Sequence, residues 1–136
     1  MKKVRDLLKH NLFAILWMVF LAFVMLLPLP TPTQQMENYL LDKLIHAISY
    51  GILTFFWAYG LFRQRDFILL RNYALPVAAT ISFLYSILLE VGQSVVPYRS
   101  FEIWDVLANL LGIIFAYLIM RRLIAEAKQK TQKALL

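Results

Sequence analysis

Cysteine is absent from the 136 residues, so neither a disulfide nor a thiolate metal site can contribute to the fold, and the redox compartment leaves no mark on the chain. Charge is scarce as well: 16% of residues are charged against 61% hydrophobic. A soluble domain of this size could not hide so much apolar surface, which leaves lipid as the solvent. An internal repeat is also missing. The two halves do not match, so the inverted symmetry of many transporters finds no support. Neither HExxH nor GxSxG occurs, and no Ser or Cys nucleophile is spaced to pair with His46.

What the chain does have is four apolar runs, at 12–30, 44–62, 73–89 and 103–120. Crossing the hydrocarbon takes about 20 helical residues. The sequence therefore predicts an all-α integral membrane protein: a four-helix bundle, formed by the single domain 1–136, with spans at about 12–30, 44–62, 73–93 and 103–121. The first run carries no charge. It is longer than the roughly 7–15 residues of a signal-peptide core and no small-x-small cleavage site follows it, so it reads as a retained helix.

Of the 14 Lys and Arg, all but Lys43 and Arg99 fall in the N-terminal segment, the second loop or the C-terminal tail. Positive charge stays cytoplasmic, so both termini are expected inside a multi-pass cell-membrane protein. The basicity (pI ≈ 9.7) is then a topology signal, and no nucleic-acid partner is expected. The tail from Arg121 is expected either to continue the last helix along the inner surface, where anionic lipids attract it, or to be an ordinary basic flank that fixes topology. Of the eight acidic residues, Glu37, Asp42, Glu90, Glu102 and Asp105 fall at the outer face.

Helical period groups the outer residues further, because positions four apart share a face. Asp42, His46 and Tyr50 form one stripe descending about 12 Å along the second span. Asp42 is expected at that helix's N-terminus, as a cap or a ligand. Glu90 and Gln93 are i, i+3 on the third span, with Ser82 and Ser86 extending the stripe inward. Asp105, Asn109 and Gly112 share a face of the fourth, where Asp105 is a second candidate cap and Gly112 permits close packing. Exposing such groups to lipid costs on the order of 1–3.5 kcal/mol each. Turning the three stripes toward one another encloses an outward-facing polar pocket, with the first span as a lipid-facing wall. Arg99, following Pro97 in the third loop, is the expected partner of Glu90 or Asp105.

These residues also carry a resemblance. DKLIHAISY (Asp42, Lys43, His46, Tyr50), EVGQ (Glu90, Gln93), PYR (Pro97, Arg99) and DVLANLLG (Asp105, Asn109, Gly112) together resemble the VanZ-like family. The match runs from about residue 42 to residue 120, and the ordered set is more specific than any fragment. The resemblance implies a small four-helix membrane protein of a family whose founding member is associated with teicoplanin resistance. It supplies a phenotype and no reaction.

Two main function classes follow. One is a binder whose pocket holds an envelope lipid, a cell-wall precursor or a glycopeptide-type ligand through Asp42, Lys43, His46, Tyr50, Glu90, Gln93, Arg99, Asp105 and Asn109. The other is a membrane-embedded enzyme using His46, Glu90 and Asp105 as acid and base on a lipid head-group or precursor. The sequence leaves open whether any reaction occurs. A transporter would need an oligomer, since four short helices make a small path and their inner halves are nearly all apolar. Three carboxylates against Lys43 and Arg99 leave one negative charge, which a protonated His46 would cancel. That balance is less positive than a dedicated phosphate site would have and suits a polar or zwitterionic group or a self-satisfied structural network; no metal or other cofactor is expected, because a divalent-metal site would want its carboxylates unpaired.

Overall fold

The computed structural model describes residues 2–28, 36–97 and 99–134, with the side chains of all of these except 36–38. Pro30 and the side chain of Glu37 therefore lie outside the described residues. The order is α1 (Lys2–His10), α2 (Leu12–Leu26), α3 (Met36–Arg63), α4 (Ile68–Asn72), α5 (Ala74–Gln93) and α6 (Ile103–Lys133), with no strand among the described residues. Helices α3, α5 and α6 are each long and apolar enough to cross a membrane. Helix α2 spans only 15 residues, about 22 Å of rise against a hydrocarbon core of about 30 Å. It makes a fourth candidate span only together with α1, from which it is bent by 60°.

Local chemistry explains several boundaries. Leu27 is extended (φ −65°, ψ 131°) because Pro28 follows it and disfavours helical backbone. Pro76 is tolerated in the first turn of α5, where its missing N–H has no intrahelical partner to lose. After α3 the chain reverses around Gln64. This side chain donates from Nε2 to the Phe67 carbonyl at 2.7 Å and accepts from the Phe67 N–H at 2.8 Å. The bend at Asn11 is closed by Asn11 Nδ2 donating to the Leu7 carbonyl at 2.9 Å. Gly60 of α3 makes room for it, since a Cβ there would strike the Asn11 side chain.

Two expected boundaries shift. The second span begins at Met36, eight residues before the apolar run, because Glu37 to Asp42 contain no breaker and include good helix formers. Asp42 is thus inside the helix and does not cap it. Asp105 sits in the first turn of α6, while Glu102 holds the N-cap position without a side-chain capping bond. The tail does continue the last helix, to Lys133. The short α4 in the second loop was not foreseen.

Packing is closest between α3 and α6. Gly112 faces the backbone of α3, where an added Cβ would run into the Ala47 carbonyl, and Gly51 lies against the Gly112 carbonyl. Helix α5 packs on both, and α2 covers α3 and α5. Three side-chain-to-backbone bonds fasten α2. Trp17 Nε1 donates to the Ser49 carbonyl at 2.9 Å, the Tyr85 hydroxyl to Met18 at 2.6 Å, and Gln93 Nε2 to Met25 at 3.0 Å. Between these helices Leu21, Met25, Tyr50, Leu53, Leu89 and Ile113 form an apolar core. Phe13, Phe23, Leu84, Leu88, Leu111 and Phe115 point outward and remain exposed, as lipid-facing surface should.

Candidate functional site

One end of the α3–α5–α6 assembly gathers eight polar side chains that no single helix could satisfy. Helix α3 contributes Asp42, Lys43 and His46, α5 contributes Glu90, and α6 with its N-cap contributes Glu102, Asp105 and Asn109. Tyr39, one turn before Lys43, completes the set, with the Lys43 ammonium 4.6 Å from its ring centre.

Lys43 organises the rim. Its ammonium donates to Asp42 Oδ2 at 3.0 Å, to Glu102 Oε2 at 2.8 Å and to Asp105 Oδ1. His46 organises the interior. Its Nδ1 lies 3.1 Å from Asn109 Oδ1 and 3.7 Å from Glu90 Oε1, while Nε2 faces Asp105 Oδ2 at 3.9 Å. Side-chain exposure falls from 48% at Asp42 and 44% at Glu102 to 13% at Lys43 and 8% at Asp105. At His46 and Glu90 it is 4% and 2%. The cluster is thus a graded column, solvated at its mouth and dry at its base.

Geometry brings together Asp42, Lys43, His46, Glu90, Asp105 and Asn109, all but Lys43 singled out by the helical period. Three other candidates go elsewhere. Tyr50 belongs to the apolar core. Gln93 turns to α2, where it bonds Met25. Arg99 makes no ion pair among the described residues, and its Nε is buried without a partner. The reason is reach: with α3 starting at Met36, Lys43 stands about two turns inside the helix and occupies the place expected for Arg99. Ser82 and Ser86 are buried along α5, and Ser86 bonds its own helix at Phe83.

Tyr39 and Glu102 were missed as site residues. Both were within reach of periodicity, as Tyr39 is i−4 to Lys43 and Glu102 is i−3 to Asp105. Starting the second span at Leu44 hid the first, and treating Glu102 as loop hid the second.

Two buried polar atoms of the cluster stay unpaired, Glu90 Oε2 and Asn109 Nδ2. A self-contained structural network would be expected to satisfy them, since a buried unmet group costs about 1–3 kcal/mol. Chemically, the column offers an ammonium and carboxylates to a polar ligand. It also offers an imidazole flanked by two carboxylates, which suits proton transfer.

The opposite end is different. Asp6 and His10 of α1, Arg63, Arg65, Arg71 and Lys128 line a cleft of about 1060 Å³ between α1, α4 and the end of α6. Apart from the His10–Asp6 contact at 3.3 Å, no ion pair occurs there among the described residues.

Comparison with known proteins follows the same residues. An uncharacterized protein of Schizosaccharomyces pombe is 31% identical over 102 residues, which cover 74% of this chain and 53% of the yeast protein. The chain thus spans about half the length of that relative. No solved structure matches significantly. The VanZ/LLP1 family matches residues 4–125, which takes in every residue of the polar column, and the chain belongs to that family.

Proposed function

We propose that this is a multi-pass membrane protein with both termini cytoplasmic, whose polar column faces outward and binds the phosphate-bearing head-group of an envelope lipid. The observation that carries the reading is the unpaired, buried pair Glu90 Oε2 and Asn109 Nδ2 beside His46, at the dry end of a column whose mouth is solvated. The orientation rests on the charge distribution: the basic cleft is the end rich in Arg and Lys. The three donors of Lys43 are already taken by Asp42, Glu102 and Asp105, so the excess of carboxylates suits an ammonium of the head-group, while the unpaired Asn109 Nδ2 offers a donor to its phosphate. A lipid is favoured over a cell-wall precursor or a glycopeptide because a fungal protein is similar over 74% of the chain. Fungal membranes share glycerophospholipids with bacteria but contain no peptidoglycan.

The test is native mass spectrometry of the detergent-purified protein titrated with phosphatidylethanolamine and, in parallel, diacylglycerol. Selective retention of the phospholipid, lost in His46→Ala and Glu90→Gln while the melting temperature holds, is the expected result. Equal retention of both lipids sinks the reading.

A second reading has its own observation. His46 stands between Glu90 and Asp105 at 3.7 and 3.9 Å, as an acid–base group would, which fits an enzyme acting on the same head-group. Release of a soluble phosphate-containing product from the phospholipid, absent in both variants, distinguishes it from binding.

A further inference from the structure

The outer column holds more negative charge than the sequence suggested. Arg99 does not join it and Glu102 does, so four carboxylates (Asp42, Glu90, Glu102, Asp105) surround the single ammonium of Lys43. Such an excess in a half-dry site calls for a further cation. The histidine shows where.

His46 Nδ1 faces two acceptors, Asn109 Oδ1 and Glu90 Oε1, so the ring proton belongs there. Nε2 faces Asp105 Oδ2, 3.9 Å away. A lone pair there repels the carboxylate unless a positive charge lies between them, supplied by a proton on Nε2 or by a cation. A histidine that donates its far N–H to a carbonyl oxygen while offering the near nitrogen is the arrangement metal sites use to fix tautomer and ring angle. One ligand atom each from Asp42, His46 and Asp105 lies within 4.8 Å of the other two. Ligands bound at about 2.1 Å are roughly 3–4 Å apart, so a small closing of the side chains brings them into range. Pairing of the carboxylates argues against a metal on sequence grounds, and Lys43 does take Asp42 Oδ2 and Asp105 Oδ1, but each aspartate keeps a second oxygen for an ion. Independently of this trio, Glu90 is only 1% exposed and has an oxygen without any partner beside His46.

We infer that Asp42, His46 and Asp105 bind one divalent cation, of the zinc or manganese class that a nitrogen-and-oxygen donor set selects. Asn109 is its positioning residue through His46 Nδ1. Three protein ligands leave coordination positions open. A phosphate oxygen of the lipid fills one of them, a step that rests on the head-group reading, whereas the ion's binding does not.

The test uses full-length protein in maltoside detergent, treated with EDTA, dialysed, and free of added phospholipid. Cobalt(II) serves as a spectroscopic probe, and zinc(II) and manganese(II) are titrated by calorimetry. One ion per chain is expected, with cobalt d–d bands that report nitrogen and oxygen ligands. His46→Ala and Asp105→Asn should each weaken binding at least 100-fold, and Asn109→Ala about 10–100-fold. Asp42→Asn should weaken it as well. Its side chain is half-exposed at the mouth of the column, so this variant keeps the test decisive if the buried ligand variants do not fold: unchanged binding in Asp42→Asn overturns the inference. So does an absence of saturable binding in the wild type, or binding that persists in folded His46→Ala. Failure of phospholipid retention with the ion bound counts against the head-group reading alone.

Discussion

Charge is packed differently at the two ends of the molecule. Around Lys43 four carboxylates and a histidine from three helices converge, most of them nearly dry. Around Arg63, Arg65, Arg71 and Lys128 the cations line an open cleft without ion pairs among the described residues. The first arrangement requires that each group be placed against a specific partner, because buried charges are tolerated only when paired. The second needs only a sign: basic residues in water beside the bilayer fix topology wherever they stand along the loop. Sequence changes should therefore be costly at one end and cheap at the other.

Lys43→Met should have the largest effect, as it strands three carboxylates. Breaking a buried ion pair typically costs about 3–5 kcal/mol, and the half-exposed Asp42 and Glu102 pull the expectation to the low end of that range. Thermal unfolding in detergent with EDTA would show it, and an unchanged melting temperature would mean the column is not a folded unit. Gly112→Ala should come next, at roughly 1–3 kcal/mol by the same measurement, since its methyl would meet the Ala47 backbone and cannot be relieved by a rotamer change. Trp17→Phe removes one interhelical bond to Ser49 and should cost about 0.6 kcal/mol in the same melts. At the basic end, Arg65→Ala should stay within about 0.5 kcal/mol. A larger loss there would show that the cleft, too, depends on specific pairing.

Periodicity alone assembled most of the column, and the reason is physical. Lipid forces polar stripes inward, so the positions i, i+4 on α3 and α6 identify which residues must meet. Gly112 was legible for a related reason, as a residue without a side chain on a polar stripe signals close backbone approach. Three features were not legible. The start of α3 depends on residues that are good helix formers but not apolar, so a hydropathy window misses them. The destinations of Gln93 and Arg99 depend on which neighbour is nearer in space, and period says nothing about that. The bend between α1 and α2 arises at Asn11, a residue that hydropathy reads only as the edge of a run. Family membership was visible in the ordered motifs and agrees with the match over residues 4–125.

The contact between Gly112 and Ala47 constrains how anything enters the column. Gly112 is one turn below Asn109, and Ala47 adjoins His46, so the two backbones touch right beneath the polar residues. A slide of α3 along α6 by even one residue, about 1.5 Å, would jam this contact. The α3–α6 pair therefore behaves as a fixed jaw. Helix α5, which brings Glu90, meets α6 without a glycine contact of this kind and is held instead to α2, through Tyr85 and Gln93.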